Sequence, residues 1–364
     1  MEETLAAIDT IAASKPVGAS DRLRPVRIWL YIIAALVLLM VIVGGITRLT
    51  DSGLSITSWE PISGTIPPLS DADWQREYEA YRQIPQFQVN NHWMTVEDFK
   101  SIFWWEWAHR FLGRFIGAAF AIPFLVFLFQ RRFSWKLAGP LAGLFLLGGL
   151  QGVVGWWMVS SGLVDRVDVS QYRLATHLFT ASLLFIALVF VARWIDPRPV
   201  NGTVSAGERA GGIMLLALLL IQLVAGAFVA GLDAGFAYNT WPLMDGALIP
   251  DGLGVLDPFW RNLFENALTV QFVHRCIAYV IVLYVALRLW QQSRLGFGGA
   301  SAWLPRLGLM ILLQVALGIA TLLSVVPIHL AVTHQAMAFM LLGLTTLYLA
   351  DMTRARRGNI IPQT

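Results

Sequence analysis

The residues that could do chemistry cluster in Glu106-Trp107-Ala108-His109-Arg110, with Gly113-Arg114 following, near the start of an apolar run from about 102 to 130. A carboxylate, an imidazole and two guanidiniums are expensive inside a membrane-length helix, and groups retained there mark functional sites. Glu106 and His109 are three apart, so they share a helix face. His109, His177, His274 and His334 all fall in apolar runs, whereas His92 lies in a polar stretch and His329 at the mouth of the last run. A buried imidazole is either a packed, hydrogen-bonded side chain or a metal ligand. Packing alone has no reason to repeat imidazole at four related positions, so the repetition favours ligation.

The elements that must position these groups are membrane helices. The chain is 57% hydrophobic and only 13% charged, with a mean hydropathy of +0.63. A soluble domain carries about twice that charge. Apolar runs at 27–47, 102–130, 137–159, 171–193, 210–231, 267–290, 303–325 and 328–350 are each near the ~20 residues that cross a bilayer. An open sheet could not satisfy its edges in lipid. The expected fold is therefore an all-α integral membrane protein with eight transmembrane helices. The arginines and lysines form short clusters between runs (Arg22, Arg24, Arg27; Arg131, Arg132, Lys136; Arg193, Arg198, Arg209; Arg288, Arg294, Arg306; Arg354, Arg356, Arg357). That places both termini and these loops in the cytoplasm, with the acidic loops 48–101 and 232–266 outside. The same clustering speaks against nucleic acid as a partner. The single cysteine, Cys276, rules out an intramolecular disulfide framework or a CxxC site. The acidic start is unlike a cleavable signal peptide, so the first run is expected to stay as an anchor.

An internal repeat relates the halves. Gly44-Gly45, Asp51, Gly53, Trp59, Gly64 and Pro68 match Gly226-Ala227, Asp233, Gly235, Trp241, Gly246 and Pro250 at a constant offset of 182. His109-Arg110 matches His274-Arg275, Gln151…Gly155 matches Gln314…Gly318, and Thr176-His177 matches Thr333-His334. Four helices per copy keep the orientation, a parallel repeat expected to form two pseudo-symmetric four-helix bundles. The division runs 1–26 cytoplasmic tail, 27–200 first bundle, 201–351 second bundle and 352–364 cytoplasmic tail. Each histidine lies six or seven residues past the outer end of its run, roughly 10 Å deep at ~1.5 Å per residue. Two imidazoles at one depth on non-adjacent helices can ligate a haem iron from both sides. Two histidines per bundle with no cysteine nearby leave a closed zinc site short of ligands.

The copies differ where ionisable groups stand. Glu106 is matched by Gln271, Arg48 by Ala230 and Arg173 by Leu330. Proton-coupled chemistry needs a positioned acid or base, which points to the first half. Glu106 is either that group or the i,i+4 ion-pair partner of Arg110. Arg110, Arg275 and Arg48 are candidates for the carboxylates of a haem, or they snorkel to the interface. Most tryptophans read as an interfacial belt. Gly148, Gly149, Gly152 and Gly155 read as close helix packing.

These motifs resemble the heme A synthase family: Gly44-Gly45-x-Thr47-Arg48-Leu49-Thr50-x-Ser52-Gly53-Leu54-Ser55, Glu106-x-x-His109-Arg110-x-x-Gly113-Arg114, Gln151-Gly152-x-x-Gly155, Tyr172-Arg173-x-x-x-His177, Asn239-Thr240-Trp241-Pro242, His274-Arg275 and Thr333-His334. The resemblance implies an oxidoreductase that converts a ring methyl of haem O to the formyl of haem A, for cytochrome oxidase, by successive hydroxylations. It implies a substrate site at His109 and His177 with Glu106, and a haem b site at His274 and His334. It also implies haem O synthase and cytochrome oxidase assembly factors as partners, an unidentified electron carrier, and a bacterial inner membrane with the sites toward the outer face; it leaves a homo-oligomer open. Cysteines that some members carry in the outer loops are absent here. The alternatives from other classes are a di-haem b-type cytochrome that only carries electrons, and a repeat-built transporter. Equivalent halves would favour the cytochrome, and helices broken at the bilayer midplane would favour the transporter.

Overall fold

The computed structural model describes residues 21–358, with side chains to 355. The tail expected at 1–26 lies outside the described residues up to position 20, as do 359–364. Eight helices long and apolar enough to cross a membrane are present among the described residues. They are α1 (Arg24–Leu49), α2 (Val96–Phe129), α3 (Trp135–Val159), α4 (Gln171–Trp194), α5 (Ala206–Gly231), α6 (Ala267–Ser293), α7 (Leu304–Leu323) and α8 (Ile328–Gly358). Each covers an expected run, so the protein is an all-helical, multi-pass membrane protein. Two boundaries differ most from expectation. α2 starts six residues early because Thr95 and Asp98 form a capping box that satisfies its first backbone donors. α8 continues to Gly358, so the tail expected from 352 is helical at its start. α2 runs unbroken through Pro123 and α3 through Pro140, unlike the interrupted helices of the transporter reading.

Contacts close a ring α1–α2–α3–α4–α1 and a second ring α5–α6–α7–α8–α5. The rings meet through α4 on α8, α4 on α5 and α1 on α8, a pattern compatible with two four-helix bundles side by side. Phe185 of α4 packs edge-on against Phe339 of α8 at this seam, 5.6 Å between centroids. Apolar side chains from both rings join in one core, including Leu30, Leu141, Leu188, Leu215 and Leu307.

At the arginine-rich end, α4 and α8 are tied by charge. Asp351 accepts from Arg193 at 2.7 and 3.0 Å and from Trp303 Nε1 at 2.9 Å, and it pairs with Arg354 at 3.2 Å. Arg193 also reaches Asp196. At the opposite end lie the two long loops. The first holds a short helix, Asp71–Tyr81, capped by Ser70 and Asp73, over a separate aromatic cluster of Tyr81, Phe87, Phe99 and Phe103. α1 and α5 enter these loops through matched turns, with Asp51 and Asp233 both left-handed at φ 52°, the usual way to stop a helix.

Candidate functional site

Glu106 is 3% exposed, and its carboxylate is fully engaged. Oε2 accepts from Ser55 Oγ and from the Ile56 amide, both at 2.8 Å. Oε1 accepts from Arg110 Nε at 3.0 Å and from the terminal guanidinium at 2.6 Å. Arg110 in turn donates to the carbonyls of Ser58 at 2.8 Å and Ile56 at 2.7 Å. Arg110 thus grips one carboxylate oxygen of Glu106 through two N–H groups, a charge-assisted pair that fastens the loop after α1 onto α2. The second half repeats the arrangement without the charge. Arg275 donates to Gln271 Oε1 at 2.8 Å and to the Tyr238 carbonyl at 2.9 Å, and Tyr238 is the 182-offset counterpart of Ile56. Gln271 Nε2 donates to the Ala234 carbonyl at 2.7 Å.

All four histidines stand against a glycine of the preceding membrane helix. A Cβ on Gly44 would lie 2.9 Å from His109 Cε1, on Gly155 3.2 Å from His177, on Gly226 3.1 Å from His274 and on Gly318 2.8 Å from His334. Only a missing side chain lets these rings lie so close to the neighbouring backbone. Not all the glycines on α3 serve the close helix packing expected from the sequence. Gly149 has nothing within 4 Å of its absent Cβ, and Gly155 abuts an imidazole. His109 and His177 lie within electrostatic reach of each other, as do His274 and His334. Each pair therefore comes from the second and fourth helices of its ring.

The two pairs differ in their partners. Gln222 Nε2 lies 3.2 Å from His274 Nε2 and donates to that residue's carbonyl at 3.1 Å. Gln314 Nε2 lies 3.5 Å from His334 Nε2 and donates to its carbonyl at 3.0 Å. Neither ring of the first pair has a side-chain hydrogen bond among the described residues, and all four Nδ1 atoms are buried without a partner. An unsatisfied buried polar atom costs about 1–3 kcal/mol, so the first pair, whose rings have no partner at either nitrogen among the described residues, is suited to a ligand. Among the described residues no three His, Cys, Asp or Glu side chains converge on a point that could hold a bare metal ion. Two imidazoles suit a metal that brings its other donors with it, as a haem does.

The structure gives Arg48 and Arg173 other work. Arg48 donates to Asp233 at 2.7 Å and to the Ala230 carbonyl at 2.9 Å, and it lies 3.7 Å from Asp51. Ala230 is its own repeat counterpart, so the guanidinium straddles the relation between the halves. The small side chain at 230 leaves room for the Arg48 guanidinium, so the Arg48/Ala230 difference has a structural use at this contact. Arg173 donates to the Trp157 carbonyl and to Ser160 Oγ at 3.2 Å, and lies over the Trp157 ring at 4.7 Å. It caps the C-terminal turn of α3, where a cation is favoured. Arg110 and Arg275 are occupied by their loops, although Arg275 Nε is buried without a partner. Sequence reasoning gave no role to Ser55, the Ile56 amide, Asp233, Gln222, Gln314 or the four ring-facing glycines. Of these, Asp233, Gln314 and the glycines carried a signal as repeat markers, and Ser55 carried one as part of a motif.

Fold and site define a class: an eight-helix membrane protein with two intramembrane histidine pairs on repeated helices. The family model described as COX15-CtaA, cytochrome oxidase assembly protein, matches residues 27–346, and the chain belongs to that family. It is 52% identical over 341 residues to a heme A synthase of Mesorhizobium japonicum, covering 92% of this chain and 93% of the relative. It is 51% identical over 349 residues to a heme A synthase of Azorhizobium caulinodans, covering 95% and 97%.

Proposed function

We propose that this chain is a heme A synthase: it takes haem O as substrate and oxidises one ring methyl to a formyl group, giving haem A for cytochrome oxidase. The observation that carries the reading is identity near one half, over more than nine-tenths of both chains, to proteins of that activity. The paired intramembrane histidines give it a physical basis. His109 and His177 hold the substrate haem, and His274 and His334 hold a resident haem b. When bound, that resident group supplies one-electron redox chemistry. The unpartnered rings of the first pair favour a haem that must arrive and leave; the amide-held rings of the second favour one that stays.

The chain's own residues then have distinct tasks. The glycines at 44 and 155 let the first pair of imidazoles sit hard against the backbone, which fixes where these two rings would meet the substrate. Glu106 is the group proposed to hold or take a proton during hydroxylation, one turn before His109. Its pairing with Arg110 closes the loop 55–58 over this end of α2 and limits water. The arginine clusters between spans support a bacterial inner membrane with cytoplasmic termini and sites toward the outer face. Haem O synthase, cytochrome oxidase assembly factors and an electron carrier are the partners this chemistry requires.

The test is haem extraction and chromatography on membranes in which the chain is expressed with a source of haem O. Haem A should appear in the wild type and vanish in His109→Ala. Haem B alone, with haem O unconverted in a folded sample, would replace the enzyme by an electron-carrying cytochrome.

A further inference from the structure

The histidine-facing helices carry a four-residue spacing that only three of the four sites keep. Gln222 precedes Gly226, Gln314 precedes Gly318 and Gln151 precedes Gly155, each by one helical turn; before Gly44 the same place holds Met40. One turn on a helix puts both residues on one face, so each glycine that admits a ring has a neighbour able to touch it. In the second half both glutamines do so, through Nε2 to the ring nitrogen and to the carbonyl of the same histidine. In the first half neither counterpart does. The Met40 methyl lies by Gly113, whose absent Cβ would be 3.5 Å from it. Gln151 is turned instead to Thr180, which lies 3.3 Å from Oε1, and its Nε2 is buried without a partner. Thr180 follows His177 by three residues; the residue three after His334 is Met337, which offers no hydroxyl.

We infer that Gln222 and Gln314 are positioning residues that make the second site a resident haem site, by presetting the two imidazoles as ligands. An amide N–H turned to Nε2 of a neutral imidazole favours the tautomer with its lone pair there and its proton on Nδ1, the form in which Nε2 could turn to an iron. Two contacts from one amide, to ring and to backbone, fix the rotation of the ring about its own helix. The amide oxygens of Gln222 and Gln314 are buried without partners, so the donor contacts are what hold each amide in place. Ligand loading exchanges the ring contact, and the carbonyl contact keeps the amide beside the histidine. Less ring freedom is lost on binding, and preorganisation of this kind raises affinity mainly by slowing release. The first pair has no such restraint, as suits a site that turns its haem over. This inference rests on the histidine assignments proposed above.

The experiment uses the purified full chain carrying its haem. It measures transfer of haem to excess apomyoglobin, together with the ferric low-spin electron paramagnetic resonance spectrum. Gln222→Met, which installs the first-half residue, and Gln314→Leu should each speed loss of the second-site haem at least about tenfold and shift its highest g-value. The reverse change, Met40→Gln, should slow haem exchange at the first site and so serves as a reading that misfolding cannot imitate. If the wild type lacks a bis-imidazole signal that His274→Ala removes, the assignment of the second site fails. If that signal is present and neither its loss rate nor its g-values change in the two glutamine variants, the assignment stands and the present inference is overturned.

Discussion

At the scale of single residues, the position occupied by Glu106 separates anchoring from chemistry. Gln271 shows that an amide suffices to hold a loop through its arginine, so Glu106→Gln should fold and keep haem at the first site. If the carboxylate acts on a proton, conversion of haem O should drop by about a hundredfold or more. Full conversion in membranes expressing that variant would confine Glu106 to fastening the loop. A second residue-scale expectation concerns acid. Hydrogen bonds from Ser70 first, then Arg76, hold the Asp73 carboxyl down at about 2, from an ordinary value of 3.8. A carboxyl depressed on folding stabilises above its unfolded value and stops doing so as pH falls through the folded one. The helix Asp71–Tyr81 should therefore open to pepsin as pH drops from about 4 toward 2, and Ser70→Ala should move that opening to higher pH. The histidines were legible in the sequence because imidazole repeated inside apolar runs is costly to retain. Ser55 and the Ile56 amide were not, because no periodicity says where a loop folds back.

At the scale of helices, the four ring-facing glycines decide whether an imidazole can approach a neighbouring backbone. Glycine to alanine inside a helix ordinarily favours the helix by up to about 1 kcal/mol. Here the added Cβ would lie 2.9 Å from His109 at Gly44 and 2.8 Å from His334 at Gly318. Gly44→Ala should lower haem content at the first site only, and Gly318→Ala at the second only, with helicity unchanged or raised. Haem per chain by pyridine haemochrome, read beside circular dichroism, checks both. Equal loss at both sites would mean that the glycines serve general packing. All eight spans were legible from hydropathy, since length and apolarity alone set them. The start of α2 was missed because the turn before the apolar run is polar and is made by a capping box. Gln222 was missed because its first-half counterpart is Met40, so comparing the copies gave no cue.

At the scale of the whole molecule, the rings are joined by charge at both ends. Asp351 faces Arg193, Arg354 and Trp303, and removing one member of a buried pair leaves the others uncompensated, at about 3–5 kcal/mol. Asp351→Ala should lower resistance to unfolding in a denaturing-detergent titration by that order, and a change within error would reduce the network to decoration. The sequence showed that cations gather at one end, but it could not show that a carboxylate just after α4, Asp196, and one on α8, Asp351, meet them. At the other end, Arg48 reaches Asp51, Asp233 and the carbonyl of its own counterpart, Ala230. A contact between counterparts lies across the axis that relates them. In two copies of the first half assembled as equals, each Arg48 would meet a second arginine where it now meets the methyl-sized Ala230. Unlike halves avoid that encounter, and their fusion in a single chain guarantees one of each.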